Sequence, residues 1–486
     1  MPLLHILRLV KSKRKHITLP AVSAALFALF IFSLIFSYQP SLSFGTTPEI
    51  NLKLSLTLVF ALLFILSSVT QLVQKIKELS KLLLTKLFLA FCVLNTLSLI
   101  WTANKTRGLF ETGLIWLLFF VFVSIVVNFK VIFRKEFLLT VLWTATLTAC
   151  LFSLWQFFGD AIGISPDLTL LSPTYQSTLF GVARPTGFAL EPEFLGNFLI
   201  IPFLLATYLI LTSIKLAVVY LIVFTTSLIL LLTISRGALL AATIGVVLLL
   251  IFARQPFKRV VTLLGILVMS LGVAIGLIGL GGHINNRDDI SGKSAIIGFV
   301  NQVSFGTIKI PIPHIQSPVQ TTVNQLPTYI VQTVPAPTPI YVAQSTNSRL
   351  LMSKEAINLW KQNARTIVFG TGTGSFGTLI HAKNHTYATN SIVNNEYLQV
   401  LTELGIVGFI LFILILAIPI WLSIKNRRVL PFAILIASYL QWLFFSGHIN
   451  VIQLWVAIAV IYAYFLYSKE DTIEQAKKSG SQSIRV

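Results

Sequence analysis

Charge is scarce in this chain of 486 residues: Asp, Glu, Lys and Arg make up 11% of it, while hydrophobic residues make up 55%. Soluble domains carry about 25% charged residues, so that class is excluded and a polytopic membrane protein is indicated. Cysteine is nearly absent as well. Cys92 and Cys150 both lie inside apolar runs, so they say nothing of redox compartment and do not resemble a metal site. Acidic residues number 16 against 36 basic ones, a formal charge of +20. Many of the basic residues flank apolar segments, where they set topology and meet anionic lipid, which makes nucleic acid the poorer partner. No period of 20 to 50 residues recurs, so a solenoid is excluded.

What is present is a series of long apolar runs. A membrane span needs roughly 20 apolar residues, and that ruler marks about twelve: 18–38, 54–74, 82–101, 109–129, 137–158, 191–212, 216–234, 237–253, 260–281, 396–421, 430–446 and 450–467. The N-terminal basic stretch precedes a long apolar run with no small-residue cleavage pattern, so the first run is expected to stay as a span. Alternate loops are basic: Lys11, Lys13, Arg14 and Lys15, then Lys75, Lys77 and Lys81, then Lys130, Arg134 and Lys135. Lys215, then Arg254, Lys258 and Arg259, then Lys425, Arg427 and Arg428, and finally Lys469, Lys477 and Lys478 fall on the same side. The positive-inside rule then places both termini in the cytoplasm.

The expected fold is an all-α polytopic membrane protein of about 12 transmembrane helices, with a large outer loop between helices 9 and 10 that contains short amphipathic helices. Its parts are helices 1–9 with short loops at 1–281, the outer loop at 282–395, helices 10–12 at 396–467, and a cytoplasmic tail at 468–486. Short outer links are expected at 39–53 and 102–108 and a medium loop at 159–190. Within the large loop, 301–345 is rich in Pro, Thr, Gln and Val and reads as extended or disordered chain. Arg349 to Gln362 regains helical period, with Leu350, Leu351, Ala356, Ile357 and Trp360 on one face.

Ionisable residues avoid the centres of the runs and gather at their outer ends: Glu111, Glu191 and Glu193, Arg236, and Glu403. A transport pathway asks for charges near the midplane, whereas this distribution suits a site at the outer leaflet. Three clusters stand out. ARPTGFALEPEFLGN, Ala183 to Asn197, puts Arg184 on a loop and Pro192 at a helix start, where proline costs least; the alternative is a capping loop in which Arg184 simply pairs with Glu191. SRG, Ser235 to Gly237, is a tight reversal whose Arg236 either snorkels to lipid or holds phosphate with its planar fork. In the third cluster Asn394 and Asn395 start a helix that continues through Glu396 and Glu403, approached by His381 and His385, a pair read as proton carriers or solvated loop residues rather than zinc ligands. The glycine-rich FGTGTGSFG, Phe369 to Gly377, fails the strand-to-helix context of a nucleotide loop and reads as a flexible turn near the site.

In this order the clusters resemble the O-antigen ligase and O-antigen polymerase family of bacterial envelope enzymes. The resemblance rests on Arg184, Gly187, Glu191 and Pro192, on Ser235 to Gly237, on the outer helix from Arg349 with the GxGxF ending at Phe376, and on the N-x-x-L and E-x-G-x-x-G of Asn395 to Gly408. It implies transfer of a glycan from an undecaprenyl-diphosphate carrier, without metal or cofactor, on the outer side of the bacterial cytoplasmic membrane. Arg184, Arg236 and Arg349 would bind the diphosphate, and Glu191, Ser235 and Asn395 would support them. The partners implied are a lipid-linked oligosaccharide donor, a glycan or lipid-glycan acceptor, membrane lipids and a chain-length regulator. Ligases of the family carry a histidine base where this chain has Asn394, which favours a polymerase-like member. Glu396, His385 and Glu403 are then the candidates for a base, with Asn394 itself left to orient. A polysaccharide or lipid transporter and a non-catalytic glycan-binding membrane protein are the competing classes.

Overall fold

The computed structural model describes residues 19–47, 50–176, 183–212, 216–253, 255–284, 296–297, 299–300, 338–385, 387–447 and 451–482. Each apolar run read from the sequence is helical: α1 (Leu19–Ser33), α2 (Leu56–Gln74), α3 (Leu83–Ser98), α4 (Lys105–Ile132), α5 (Lys135–Ala161), α6 (Pro192–Thr212), α7 (Ala217–Leu232), α8 (Arg236–Phe252) and α9 (Phe257–Ile284). After the outer helices α10 (Thr338–Trp360), α11 (Ala364–Phe369) and α12 (Phe376–Lys383) come α13 (Glu396–Lys425), α14 (Val429–Gln441) and α15 (Ile452–Gln482). Among the described residues, α2, α4, α5, α6, α9 and α13 are long and apolar enough to cross a membrane, and the shorter apolar segments, which include Ile452–Ser468 of α15, run 10–17 residues. The protein is membrane-embedded. Only 22% of the apolar window of α9 is buried within the protein, and Val261, Leu264, Val268 and Met269 are exposed along it. A helix so apolar all round requires an apolar medium outside it.

Four features depart from the sequence reading. The link expected at 39–53 contains an antiparallel hairpin, β1 (Ser41–Thr47) and β2 (Ile50–Ser55), pairing Leu42 with Leu54 and Phe44 with Leu52. Its alternating pattern is too short to outweigh the apolar runs beside it. Of the stretch expected to be extended, 301–337 lies outside the described residues, but 338–345 opens α10; Pro339 sits in the first turn, where a missing N–H breaks no helical bond. Lys11, Lys13, Arg14, Lys15, Lys215 and Arg254 also lie outside the described residues.

The third departure concerns which face of α10 is buried. Ala356 and Leu359 are buried with Met352 beside them, while Leu350, Leu351 and Ile357 are exposed. Ala356 belongs to both apolar sets on this helix, and the side it shares with Met352 and Leu359 is the one packed against α13, where Thr402 Oγ1 donates to the Ala356 carbonyl at 3.2 Å. Ala356, Leu359, Phe376, Ile380 and Val393 form a small core of their own above the main one.

The glycine-rich segment is not a flexible turn. Residues 370–377 are all buried, wedged between α13 and the end of α3. The cause is a break in α13: Gly405 adopts φ 65°, ψ −167°, which frees carbonyls from their helical partners. Thr371 N–H bonds the Thr402 carbonyl at 2.9 Å and Gly372 N–H bonds the Glu403 carbonyl at 2.8 Å, so the orphaned groups are satisfied. On the other side Thr373 bonds Ser98 and Asn95 of α3, and its carbonyl accepts from Thr102. Gly372 and Gly374 have φ 98° and 75°, and a side chain there would strike Thr102 and the backbone of Gly108.

Candidate active site

Helices α6, α8 and α13 present their N-termini to one cavity of about 390 Å³. Its walls are Tyr175, Arg184, Glu191 to Glu193, Ile234 to Gly237, Arg349, Leu350, Ser353, Asn394, Asn395, Leu443 and Phe444. The volume falls within the range of small-molecule sites, about 300–1,000 Å³. Three guanidinium groups and three helix N-termini at one place favour a multiply charged anion.

Each wall is set by local chemistry. The loop carrying Arg184 is held by Gln156, fully buried on α5, whose Oε1 accepts from the Thr186 and Gly187 N–H groups at 3.0 and 2.7 Å. Gln156 Nε2 donates to the Gly187 and Thr169 carbonyls. Gly187 takes φ 57° here, a conformation that costs glycine little. Arg184 in turn reaches the α7–α8 turn, Nε donating to the Thr233 carbonyl at 3.0 Å and Nη2 to the Ile234 carbonyl at 3.4 Å, with its guanidinium 5.8 Å from the Tyr175 ring centre. It therefore braces the SRG reversal as well as lining the cavity.

The SRG turn brings α8 hard against α6. Gly196 abuts Ala238, and a Cβ on Gly237 would lie 2.9 Å from Glu193 Oε1 and 3.0 Å from the Phe444 ring. Ser235 is buried at the N-cap and makes no side-chain capping bond, while Arg236 opens the helix. Gly237→Ala should consequently displace Glu193 or Phe444. The melting temperature of the detergent-solubilised protein should fall, since overpacking costs about 1–3 kcal/mol, with the protein still inserted.

Glu193, missed as a site residue by sequence reasoning, accepts from Arg349 Nη2 at 3.1 Å. This ion pair fastens the outer helix α10 onto α6 across the cavity. The two residues lie 156 positions apart, so only the crowding of charge near Pro192 hinted at the pairing. Glu191 lies just before α6 with its carbonyl accepting from the Phe194 and Leu195 N–H groups. Burial raises its carboxyl above the ordinary range, partly offset by Arg349 and Arg184.

The fourth wall is the start of α13. Asn394 has φ 59°, a left-handed conformation that asparagine tolerates better than most residues. Asn395 caps the helix, accepting from Leu398 N–H at 3.1 Å, and its own N–H donates to Ser446 Oγ at 2.9 Å. These bonds, with Glu396 N–H to the Trp442 carbonyl, tie α13 to the loop that supplies Leu443 and Phe444.

Residues 221–413 match a family model described as O-antigen ligase. The chain carries an O-antigen ligase family domain. No curated protein matches it. The O-antigen ligase match begins within α7 and ends within α13. It thus contains Ser235, Arg236, Arg349, Asn394 and Asn395, while Arg184 and Glu191 enter the same cavity from outside the matched span.

Of the residues the sequence singled out, Arg184, Arg236, Arg349, Glu191, Ser235, Asn394 and Asn395 are brought together. Glu396, His385 and Glu403 are not among the lining residues. Glu396 is buried and accepts from Gly447 N–H at 2.7 Å, holding the loop after α14. Glu403 is buried and accepts from Gly374 N–H at 2.9 Å, Phe376 N–H at 3.2 Å and Gln399 Nε2 at 2.7 Å. His385 is exposed beside His381, whose Nδ1 lies 2.6 Å from the Tyr387 carbonyl. Near Glu403 a further pair joins Arg107 to Glu111 at 2.8 Å, with Arg107 also donating to the Ser391 carbonyl.

Proposed function

We propose that the chain is a membrane glycan transferase that takes oligosaccharide from an undecaprenyl-diphosphate carrier on the outer face of the bacterial cytoplasmic membrane. The observation that carries this reading is the convergence of Arg184, Arg236 and Arg349 on one cavity with three helix N-termini. A lipid diphosphate is already a good leaving group, so the protein has chiefly to hold its charge and align the acceptor hydroxyl. Arginine forks suit paired phosphate oxygens.

Asn394, at the position where ligases of the family place histidine, has no group that takes a proton at neutral pH. A polymerase-like reaction, with a second lipid-linked repeat unit as acceptor, is therefore favoured over ligation. In this reading the reaction needs no metal, about twelve helices cross the bilayer, and both termini are cytoplasmic. Purified protein supplied with a synthetic undecaprenyl-diphosphate oligosaccharide should extend it, and extension should survive chelator. Absence of transfer from any lipid-diphosphate glycan would overturn the assignment; loss of transfer on chelation would overturn only its metal independence.

A further inference from the structure

We infer that Glu191 is the general base that deprotonates the acceptor hydroxyl, an assignment that rests on the glycan-transfer reading of the cavity. Asn394 contributes no base, and neither Glu396, which accepts from the Gly447 N–H, nor Glu403, which accepts from the Gly374 and Phe376 N–H groups, lines the cavity. Two carboxylates line it, Glu191 and Glu193. Glu193 is held by Arg349 at 3.1 Å and packed against Gly237. Among the described residues, no hydrogen bond or ion pair engages the Glu191 carboxylate. Its main-chain carbonyl alone serves α6, so the side chain is at liberty to turn toward a hydroxyl.

The step balances without any further reagent. Glu191 takes the acceptor hydroxyl proton as that oxygen forms its bond to the donor's anomeric carbon. The bond from that carbon to the diphosphate oxygen breaks, and its electron pair leaves with the lipid diphosphate. Arg184, Arg236 and Arg349 stand around the departing charge, and the proton on Glu191 is then lost to the outer solvent. The charged groups facing Glu191 are Arg349 from α10, Arg184 from its own loop, Arg236 from α8 and Glu193 from α6, with Tyr175 the other titratable neighbour. The α13 and α14 side of the cavity is uncharged, formed by Asn394, Asn395, Leu443 and Phe444.

A base works only when ionised, so the rate should fall as pH drops through the ionisation of Glu191. Burial moves that limb above the usual carboxylate range. Glu191→Gln keeps the shape and the main-chain bonds; it should lower turnover by about 10²–10⁴-fold, abolish the acid limb and leave donor KM within a fewfold. Glu191→Asp should regain part of the rate and restore the limb. If wild type transfers and Glu191→Gln transfers equally fast with the same pH profile, Glu191 is not the base. Parallel loss in both variants with donor KM raised many-fold would assign it to donor binding and overturn the inference too. Failure of the wild type to transfer at all overturns the proposed function instead, which keeps the two claims distinguishable.

Discussion

Arg236→Ala is expected to abolish polymer formation while the protein still inserts and folds. A preorganised donor aimed at developing charge is worth about 10²–10³ in turnover, and Arg236 lines the cavity as the first residue of α8. Arg184 also donates to the Thr233 and Ile234 carbonyls, so removing it loosens the turn that sets Arg236, and its phenotype would mix binding with architecture. Arg349 is tied to Glu193, so Arg349→Ala both weakens the cavity's positive charge and frees α10. Arg236 begins α8 beside its dipole, and Arg236→Lys keeps the charge without the planar fork. Intermediate activity in Arg236→Lys, against none in Arg236→Ala, would report a bidentate phosphate contact. The measurement is polymer length and amount in cells and single-turnover transfer with purified protein. Unchanged product in Arg236→Ala would sink the diphosphate assignment.

Much of this was legible in the sequence, for identifiable reasons. Long apolar runs announce helices because a bilayer leaves the backbone little else to form, and each run from 18–38 to 450–467 is helical. Of the cavity's arginines, Arg236 was legible as an ionisable residue at the outer end of an apolar run and Arg184 as a loop arginine before a helix start, whereas Arg349 entered through the family resemblance. The roles of the acidic residues were harder to see. Glu403 inside an apolar run reads as chemistry, yet its partners are the N–H groups of Gly374 and Phe376, and backbone donors leave no mark in a sequence. The same blindness turned FGTGTGSFG into a flexible turn. Glycine signals freedom in the unfolded chain and close approach in the folded one, and only the partner surface decides between them. Glu396 is a similar case, its carboxylate accepting from the Gly447 N–H. Gln156, the brace of the Arg184 loop, was visible only as one polar residue near the end of an apolar helix.

The second large effect should come from that buried hub. Gly405→Ala would put a methyl group onto the backbone of Val368 and Phe369 while forcing an L residue to φ 65°. The conformation costs about 1–2 kcal/mol, and overpacking adds about 1–3 kcal/mol. Gly113 supplies the control: it lies on the exposed side of α4 with no atom within 4 Å of an added Cβ, so Gly113→Ala adds the same methyl at no steric cost and gains about 0.5–1 kcal/mol of helix stability. Detergent-solubilised Gly405→Ala should therefore unfold at a clearly lower temperature than wild type, and Gly113→Ala at an equal or higher one. Glu403→Gln tests the same hub from the other side. One carboxylate oxygen becomes an NH₂ facing donors, and each buried donor left unmet costs about 1–3 kcal/mol. Were Glu403 a catalytic acid or base, Glu403→Gln would lose turnover with its melting temperature intact. The hub reading expects stability and activity to fall together, and Gly405→Ala melting like Gly113→Ala would refute it.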